Sequence, residues 1–264
     1  MGTQRPFDLA ESREFAEVRQ RAARDLLRSI AQETKLLSAL DVGCGVGYFS
    51  KFLADLGFQV AAIDGREENV IEARRRYPEI DFQTRNAEEL SQAEIGTYDL
   101  VLCFGLLYHL ENPFRAIRNL HSVTNRVLLL ESMCAPGDEP SLQLLDEYHA
   151  DDQGLSYVAF YPTESCLVKM LYRAGFPFVY RLTELPDHEF YRATPSHKRR
   201  RAMLVAAKQR FTLSELKPMP EPVRPWDIWP TAAARWKSRL RRIPTLVRTL
   251  VPRRGKVGGD GAKG

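Results

Sequence analysis

The chain has 264 residues, 44% hydrophobic and 27% charged content and a formal net charge of +4, the balance of a soluble globular protein with one sizeable core. No run of about 18 apolar residues occurs, which excludes a membrane-spanning helix, and the opening residues lack the apolar stretch of a secretory leader, so a cytoplasmic location is expected. Cys44, Cys103, Cys134 and Cys166 form no C-x-x-C pair and no histidine cluster accompanies them, so neither a metal site nor a disulfide framework is expected.

Residues 12–34 carry Phe15, Val18, Ala22, Leu26, Leu27 and Ile30 at helical spacing, which predicts an N-terminal helical cap over 1–34. A series of short apolar runs and helical stretches follows. The runs are 36–42, 58–63, 80–84, 98–104 and 126–130; the helical stretches between them include 67–76 and 113–121. This alternation predicts βαβ units and a doubly wound, mostly parallel α/β sheet with helices on both faces. After Glu131 the rhythm breaks, and residues 133–162 read as an irregular or partly helical insertion. A helix over 163–174 follows, with Thr163 as N-cap and Gly175 as stop. Strands over 178–185 and 201–208 close a seven-stranded sheet and a catalytic domain of 35–210. Prolines 218, 220, 222, 225 and 230 then predict an extended linker, within a region 211–264 that ends in a basic tail.

In such a sheet, ligands bind beyond the carboxyl ends of the strands. The first strand ends in Asp41-Val42-Gly43-Cys44-Gly45-Val46-Gly47, whose alternating glycines let backbone approach a ligand and turn sharply into the next helix. The pattern departs from G-x-G-x-x-G, since Ser50 stands where the third glycine would be. A dinucleotide would bring its pyrophosphate to this helix start, where the carboxylate of Asp41 is unwelcome. A ligand with an amine or sulfonium and no phosphate suits Asp41 better, and S-adenosylmethionine has both. The second strand ends in Asp64-Gly65, an acid about twenty residues after a glycine turn, placed to accept from ribose hydroxyls.

The stretch 40–57 resembles motif I of the class I, S-adenosylmethionine-dependent methyltransferases, a Rossmann-like family. The resemblance implies a methyl donor held by Asp41, Gly43, Cys44, Gly45 and Gly47, with Asp64 and Gly65 at its ribose. Asn86-Ala87 falls where the family sets a polar residue, usually Asp, against the adenine amine. Phe104-Gly105 falls at the end of the fourth strand, beside the methionine and methyl group. Residues 201–208 are similar to the family's closing antiparallel strand.

Methyl transfer from a sulfonium is an in-line displacement that rests on positioning, and a base is needed only where the acceptor keeps its proton. His109, just past the fourth strand, is the candidate base, because many small-molecule O-methyltransferases of this superfamily have a histidine near this place; packing or orientation of the loop is the alternative. Tyr108 and Glu131 are further candidates for the acceptor side, as are Tyr148, His149, Asp151, Asp152, Tyr157 and Tyr161 of the insertion. The local run 103–109 is also similar to the transferase that carboxymethylates the wobble uridine of transfer RNA, although no separate RNA-binding domain precedes it.

Residues 229–264 hold ten Lys or Arg against one acid, whereas the remaining 228 residues hold 28 bases and 33 acids. Within the tail, 229–254, apolar residues from Trp236 to Val251 mark one helical face, with Pro244 as a kink. Such a helix reads as a peripheral membrane contact, as packing on the acidic body, or, with less support, as an arm for nucleic acid. The expectation is a methyltransferase acting on a small-molecule or glycan-type acceptor, its oxygen above all. A transfer RNA methyl- or carboxymethyltransferase and a non-catalytic donor-binding scaffold are the alternatives.

Overall fold

The structure is a computed structural model and describes residues 5–150, 152–192 and 200–223. In chain order its elements begin with helix α1 (Ala10–Glu33), strand β1 (Ser38–Val42), α2 (Tyr48–Asp55), β2 (Gln59–Asp64), α3 (Glu67–Arg76) and β3 (Asp81–Thr84). They continue with α4 (Gln92–Ile95), β4 (Tyr98–Phe104), α5 (Pro113–Val123) and β5 (Thr124–Met133). The last are β6 (Leu142–Asp146), β7 (Val158–Pro162), α6 (Glu164–Ala174), β8 (Phe178–Leu182), β9 (Arg201–Ala207) and β10 (Leu216–Pro218).

The main sheet runs β10-β8-β9-β5-β4-β1-β2-β3. Strands β1 to β5 pair in parallel, and β9, β8 and β10 add antiparallel neighbours. The expected doubly wound sheet is therefore present, with eight strands among the described residues rather than seven. The additional strand, β10, lies where the prolines predicted a linker: three residues pair with β8, and Pro218 ends the element because it has no N–H to continue a ladder.

Period-2 alternation sorts the central strands into two cores. Val101, Cys103, Leu128 and Leu130 point to one face, where Ile117, Leu120, Leu167 and Leu171 of α5 and α6 cover them. Leu100, Leu102, Val127 and Leu129 point to the other, under Leu26, Leu27 and Ile30 of α1 and Phe52 and Leu53 of α2. Helix α1 is thus a layer of the domain and not merely a cap upon it. Its last two turns fill the core, while its first turns reach the site described below.

Thr163 caps α6 by accepting from the Cys166 N–H at 3.2 Å, and Gly175 ends it in a left-handed conformation (φ +116°), as the sequence suggests. The insertion differs from expectation. It is a β-hairpin, β6 paired with β7 from Leu142↔Pro162 to Asp146↔Val158, with 147–150 and 152–157 the described residues of its loop. Every residue of β6 is exposed, so no core-facing period was written into its sequence. Among the described residues, no helix is long and apolar enough to cross a membrane. The basic helix expected within 229–254 lies outside the described residues.

Candidate active site

A cavity of about 550 Å³ opens at the carboxyl ends of β1, β2 and β4. Gly43, Cys44, Gly45, Asp64, Gly65, Asn86, Ala87, Phe104, Gly105, Tyr108 and His109 all line it. The structure brings these predicted residues together from four separate turns. Asp41 and Gly47 stand outside the lining and take other roles.

The glycine loop is pinned from below, because the N–H groups of Gly43 and Cys44 both donate to the Ile63 carbonyl, at 2.9 and 3.0 Å. Gly43 and Gly45 have positive φ (+78° and +51°); a Cβ would meet Leu106 at 2.8 Å in the first and the Phe7 ring at 3.0 Å in the second. Glycine therefore clears the space between this loop and the residues facing it. Gly47 (φ +91°) starts α2, and a Cβ there would strike Phe82 and Tyr77 at 2.9 Å. Its role is packing, not ligand contact.

Asp41 corrects the expectation of a carboxylate exposed to the donor. Its side chain is 2% exposed beneath the loop and accepts from Ser50 Oγ at 2.6 Å. Burial pushes its carboxyl up to about 7, the Ser50 bond works in the opposite direction and the nearby Asp64 adds to the rise.

Asp64 fits the expected place more closely. Its Oδ2 accepts from Gly45 N–H at 2.8 Å, and its Oδ1 accepts from Arg66 N–H at 2.9 Å and Asn69 Nδ2 at 3.2 Å. A carboxylate has about four acceptor positions. With three used to hold the loop and the start of α3, one remains for a diol, so two ribose hydroxyls would share it or displace a protein donor. Asn86 Oδ1 accepts from Glu88 N–H at 2.9 Å, and Glu88 in turn accepts from Glu111 N–H and Asn112 Nδ2. These bonds hold the polar edge of the cavity against the loop that follows β4.

His109 sits in a 3-10 turn, Leu107–His109, and its Nδ1 lies 2.5 Å from Glu147 Oε1. The two side chains are 9% and 5% exposed. Glu147 Oε2 also accepts from Gly154 N–H at 2.9 Å, so the carboxylate is fixed from both sides. With Nδ1 turned to a carboxylate, Nε2 is the ring nitrogen left to accept a proton. Glu147 was missed by sequence reasoning: it lies 38 residues away in a segment without periodicity, and no local signal separates it from its acidic neighbours.

Glu131 at the end of β5 is fully buried and accepts from Arg201 Nη1 through both oxygens (2.9 and 3.1 Å), from Arg19 Nη1 (3.3 Å) and from Tyr191 OH (3.0 Å). Burial would raise its carboxyl, but Arg201 and Arg19 hold it below its ordinary value. Expected as a side chain reaching the acceptor, Glu131 is instead a counter-ion. Arg19 and Arg201, which it holds, line the cavity. Arg201 Nη2 donates to Tyr108 OH at 3.2 Å.

Two segments cover the cavity. Phe7 faces Gly45, and the next residue, Asp8, accepts from both Nη atoms of Arg76 (2.9 and 2.7 Å) and from Tyr48 OH (2.5 Å). Arg76 chiefly holds the Asp8 carboxyl well below the usual range. On the other side the hairpin loop is tied by Arg66 Nη2, which donates to the carbonyls of Gln153 and Gly154, both at 3.1 Å. Among the residues singled out in this loop, Asp152 lines the cavity, Tyr148 is 66% exposed, and the His149 ring packs tilted against that of Tyr157, 4.0 Å between centroids. Tyr161, on β7, packs edge-on against Tyr108 at 5.4 Å. Asp151 lies outside the described residues.

Comparison with known proteins agrees with this architecture. The N-terminal domain of EvdMO1 with S-adenosylhomocysteine bound aligns at a TM-score of 0.58 and 22% identity, over 72% of this chain and 81% of that one. The magnesium protoporphyrin IX methyltransferase ChlM of Synechocystis PCC 6803, with S-adenosylmethionine bound, aligns at 0.53 and 24% identity, over 79% and 87%. At these identities the likeness is one of fold. A ubiquinone biosynthesis O-methyltransferase of Xanthomonas campestris pv. campestris is 40% identical over 83 residues, which is 30% of this chain and 35% of the relative. The chain therefore matches about a third of that relative's length. The model of a methyltransferase domain matches residues 14–180, well over half of the chain. The chain belongs to the methyltransferase-domain family, within the class I, S-adenosylmethionine-dependent group that the motif at Asp41–Gly47 resembles.

Proposed function

We propose that the protein transfers a methyl group from S-adenosylmethionine to a hydroxyl oxygen of a small-molecule acceptor, glycan-type molecules included. The observation that carries this reading is that His109, which lines the cavity together with the glycine loop and Asp64, has Glu147 2.5 Å behind its Nδ1. A methyltransferase whose acceptor arrives without its proton has no need of a base; a hydroxyl acceptor does.

The residues present suit the donor. Glycines at 43 and 45 remove side chains from the loop, the remaining acceptor position of Asp64 suits a ribose hydroxyl, and the buried carboxyl of Asp41 lies beneath. When bound, the donor supplies an activated methyl group on a cationic sulfur. Asp41, held near neutrality by burial, ionises more readily when such a positive charge is close. His109 takes the hydroxyl proton at Nε2, and Glu147 keeps the ring in that tautomer and stabilises the imidazolium that results. Phe7 and the hairpin loop exclude water from the reacting atoms.

The test is calorimetric titration with S-adenosylhomocysteine and NADH, followed by methyl transfer from radiolabelled S-adenosylmethionine to phenolic, catecholic and sugar hydroxyls. Micromolar binding of the adenosyl ligand with label appearing in an ether is the expected result. Binding of NADH instead would overturn the donor. Transfer only to nitrogen or carbon acceptors, unaffected by His109→Ala, would overturn the oxygen assignment.

A further inference from the structure

The loop of the β6–β7 hairpin is held by polar ties rather than by apolar burial. Of its described residues, 147–150 and 152–157, Gly154 alone is buried, while Tyr148 and Leu155 are exposed. Tyr157 has a positive φ (+54°), a left-handed conformation that a bulky side chain adopts only where its surroundings impose it. With so little apolar area beneath it, the loop keeps its place only while its hydrogen bonds hold.

Those bonds meet at Gly154. Its N–H donates to Glu147 Oε2 at 2.9 Å, and its carbonyl accepts from Arg66 Nη2 at 3.1 Å and from Tyr157 N–H at 3.3 Å. The same Nη2 donates to the Gln153 carbonyl at 3.1 Å, so both of its protons are used. A Cβ at position 154 would meet the His109 carbonyl at 2.6 Å and Glu147 Oε2 at 3.0 Å, so glycine is what lets the loop come this close to the base.

Arg66 approaches from the opposite side of the cavity. Its own N–H donates to Asp64 Oδ1 at 2.9 Å, in the turn expected at the ribose. Arg66 and loop residues 152–156 line the cavity with Asp64, Gly65 and Asn69. Leu155 lies so near Gly65 that a Cβ there would meet its Cδ1 at 3.1 Å. One chain of contacts therefore runs from Asp64 through Arg66, Gly154 and Glu147 to His109 Nδ1.

We infer that Arg66 is a positioning residue that joins the two sides of the cavity: it latches residues 153–154 over the Asp64–Gly65 turn, and the latched loop fixes Glu147 behind His109. The inference rests on the methyltransferase reading above and adds how occupancy by the donor is linked to placement of the base. A loop shut over the ribose must open for the donor to leave. Linkage then works in both directions, because a bound donor favours the shut loop by the same factor that the shut loop favours the donor. The base is thereby set in place when a methyl group is there to be transferred.

Amide exchange at Gly154, whose N–H makes the bond to Glu147, is followed in the whole protein with and without saturating S-adenosylhomocysteine, and stopped-flow displacement gives the ligand's release rate. In the wild type the ligand is expected to slow that exchange ten-fold or more. Arg66→Gln, saturated with the ligand, is expected to lose the protection and to release the ligand at least five-fold faster. Gly154→Ala keeps Arg66 but cannot seat against the His109 carbonyl, and it should release the ligand faster by a similar factor. The wild-type comparison needs no variant to fold. Exchange that the ligand leaves unchanged in the wild type would overturn the inference, since the loop would then be a fixed wall. Protection retained in saturated Arg66→Gln would overturn it too, as would unaltered release from Gly154→Ala. Failure of the wild type to bind S-adenosylhomocysteine at all would instead overturn the methyltransferase reading, and this inference with it.

Discussion

On the glycine-loop side of the cavity, polar groups are held by neighbours in sequence; on the Tyr108 side they are held by partners from distant elements. Asp64 bonds residues 2, 5 and 19 positions away, and Asp41 bonds Ser50, nine positions away. His109 and Glu147 are separated by 38 residues, and Glu131 is joined to residues 60, 70 and 112 positions distant. The first side is therefore set once β1, β2 and their turns form. The second exists only when α1, the hairpin and the antiparallel strands have all docked, so it is the side a distant substitution disturbs.

That contrast can be broken most directly at His109. His109→Ala is expected to lower kcat by about 10²–10⁴-fold, the usual range for a general base, while donor affinity by calorimetry stays unchanged. Glu147→Gln, which keeps the shape but removes the carboxylate that orients the ring, should give a smaller loss of kcat. A donor affinity that fell with activity would mean the two sides are not separable.

Asp41 tests the local side by stability. Its folded carboxyl is raised to about 7, against about 3.9 in an unfolded chain. Between these values the folded protein binds the extra proton, so this group's contribution makes stability fall as pH rises from about 4 to 7, then level off. Asp41→Asn removes the burden of the buried charge. It is expected to be more stable than wild type at pH 8 by on the order of 3 kcal/mol and no different near pH 4, as read from urea unfolding at both pH values.

A smaller effect is expected at Asp64. Asp64→Ala removes the acceptor of Gly45 N–H and the position left for ribose, and should weaken S-adenosylhomocysteine binding by about 1.5–3 kcal/mol, the worth of a hydrogen bond to a charged group. The smallest effect belongs to the hairpin: Leu144 is 63% exposed, so Leu144→Ser should alter thermal stability by no more than about 0.5 kcal/mol.

The same division explains what the sequence disclosed. Buried strands announce themselves as continuous apolar runs, and β4 begins and ends where its run Tyr98–Phe104 does. The residues 67–76 coincide with α3, whose basic last turn complements the helix dipole. The placement of Asp64 beside the glycine loop was equally legible, since both line the cavity. Asp41 was found but its orientation was not, because whether a carboxylate faces a ligand or lies beneath a loop depends on Ser50 closing over it from α2. Strand β6 was illegible because its side chains face solvent, and β10 because three residues among prolines carry no period. Glu147, Arg19 and Arg201 gain their meaning from chain folding alone: each is an ordinary charged residue in its own segment.

The order of the strands has one more consequence. A sheet ends in two edges, each a row of N–H and C=O groups on which another chain can polymerise. Here one edge is β3, four residues opening on the exposed Asp81, and the other is β10, three residues carrying Lys217 and Pro218. Shortness, charge and a missing N–H deny a neighbouring chain the register it would need to extend the sheet. Among the described residues, Leu216–Pro218 thus closes the main sheet on an edge poorly suited to pairing with another chain.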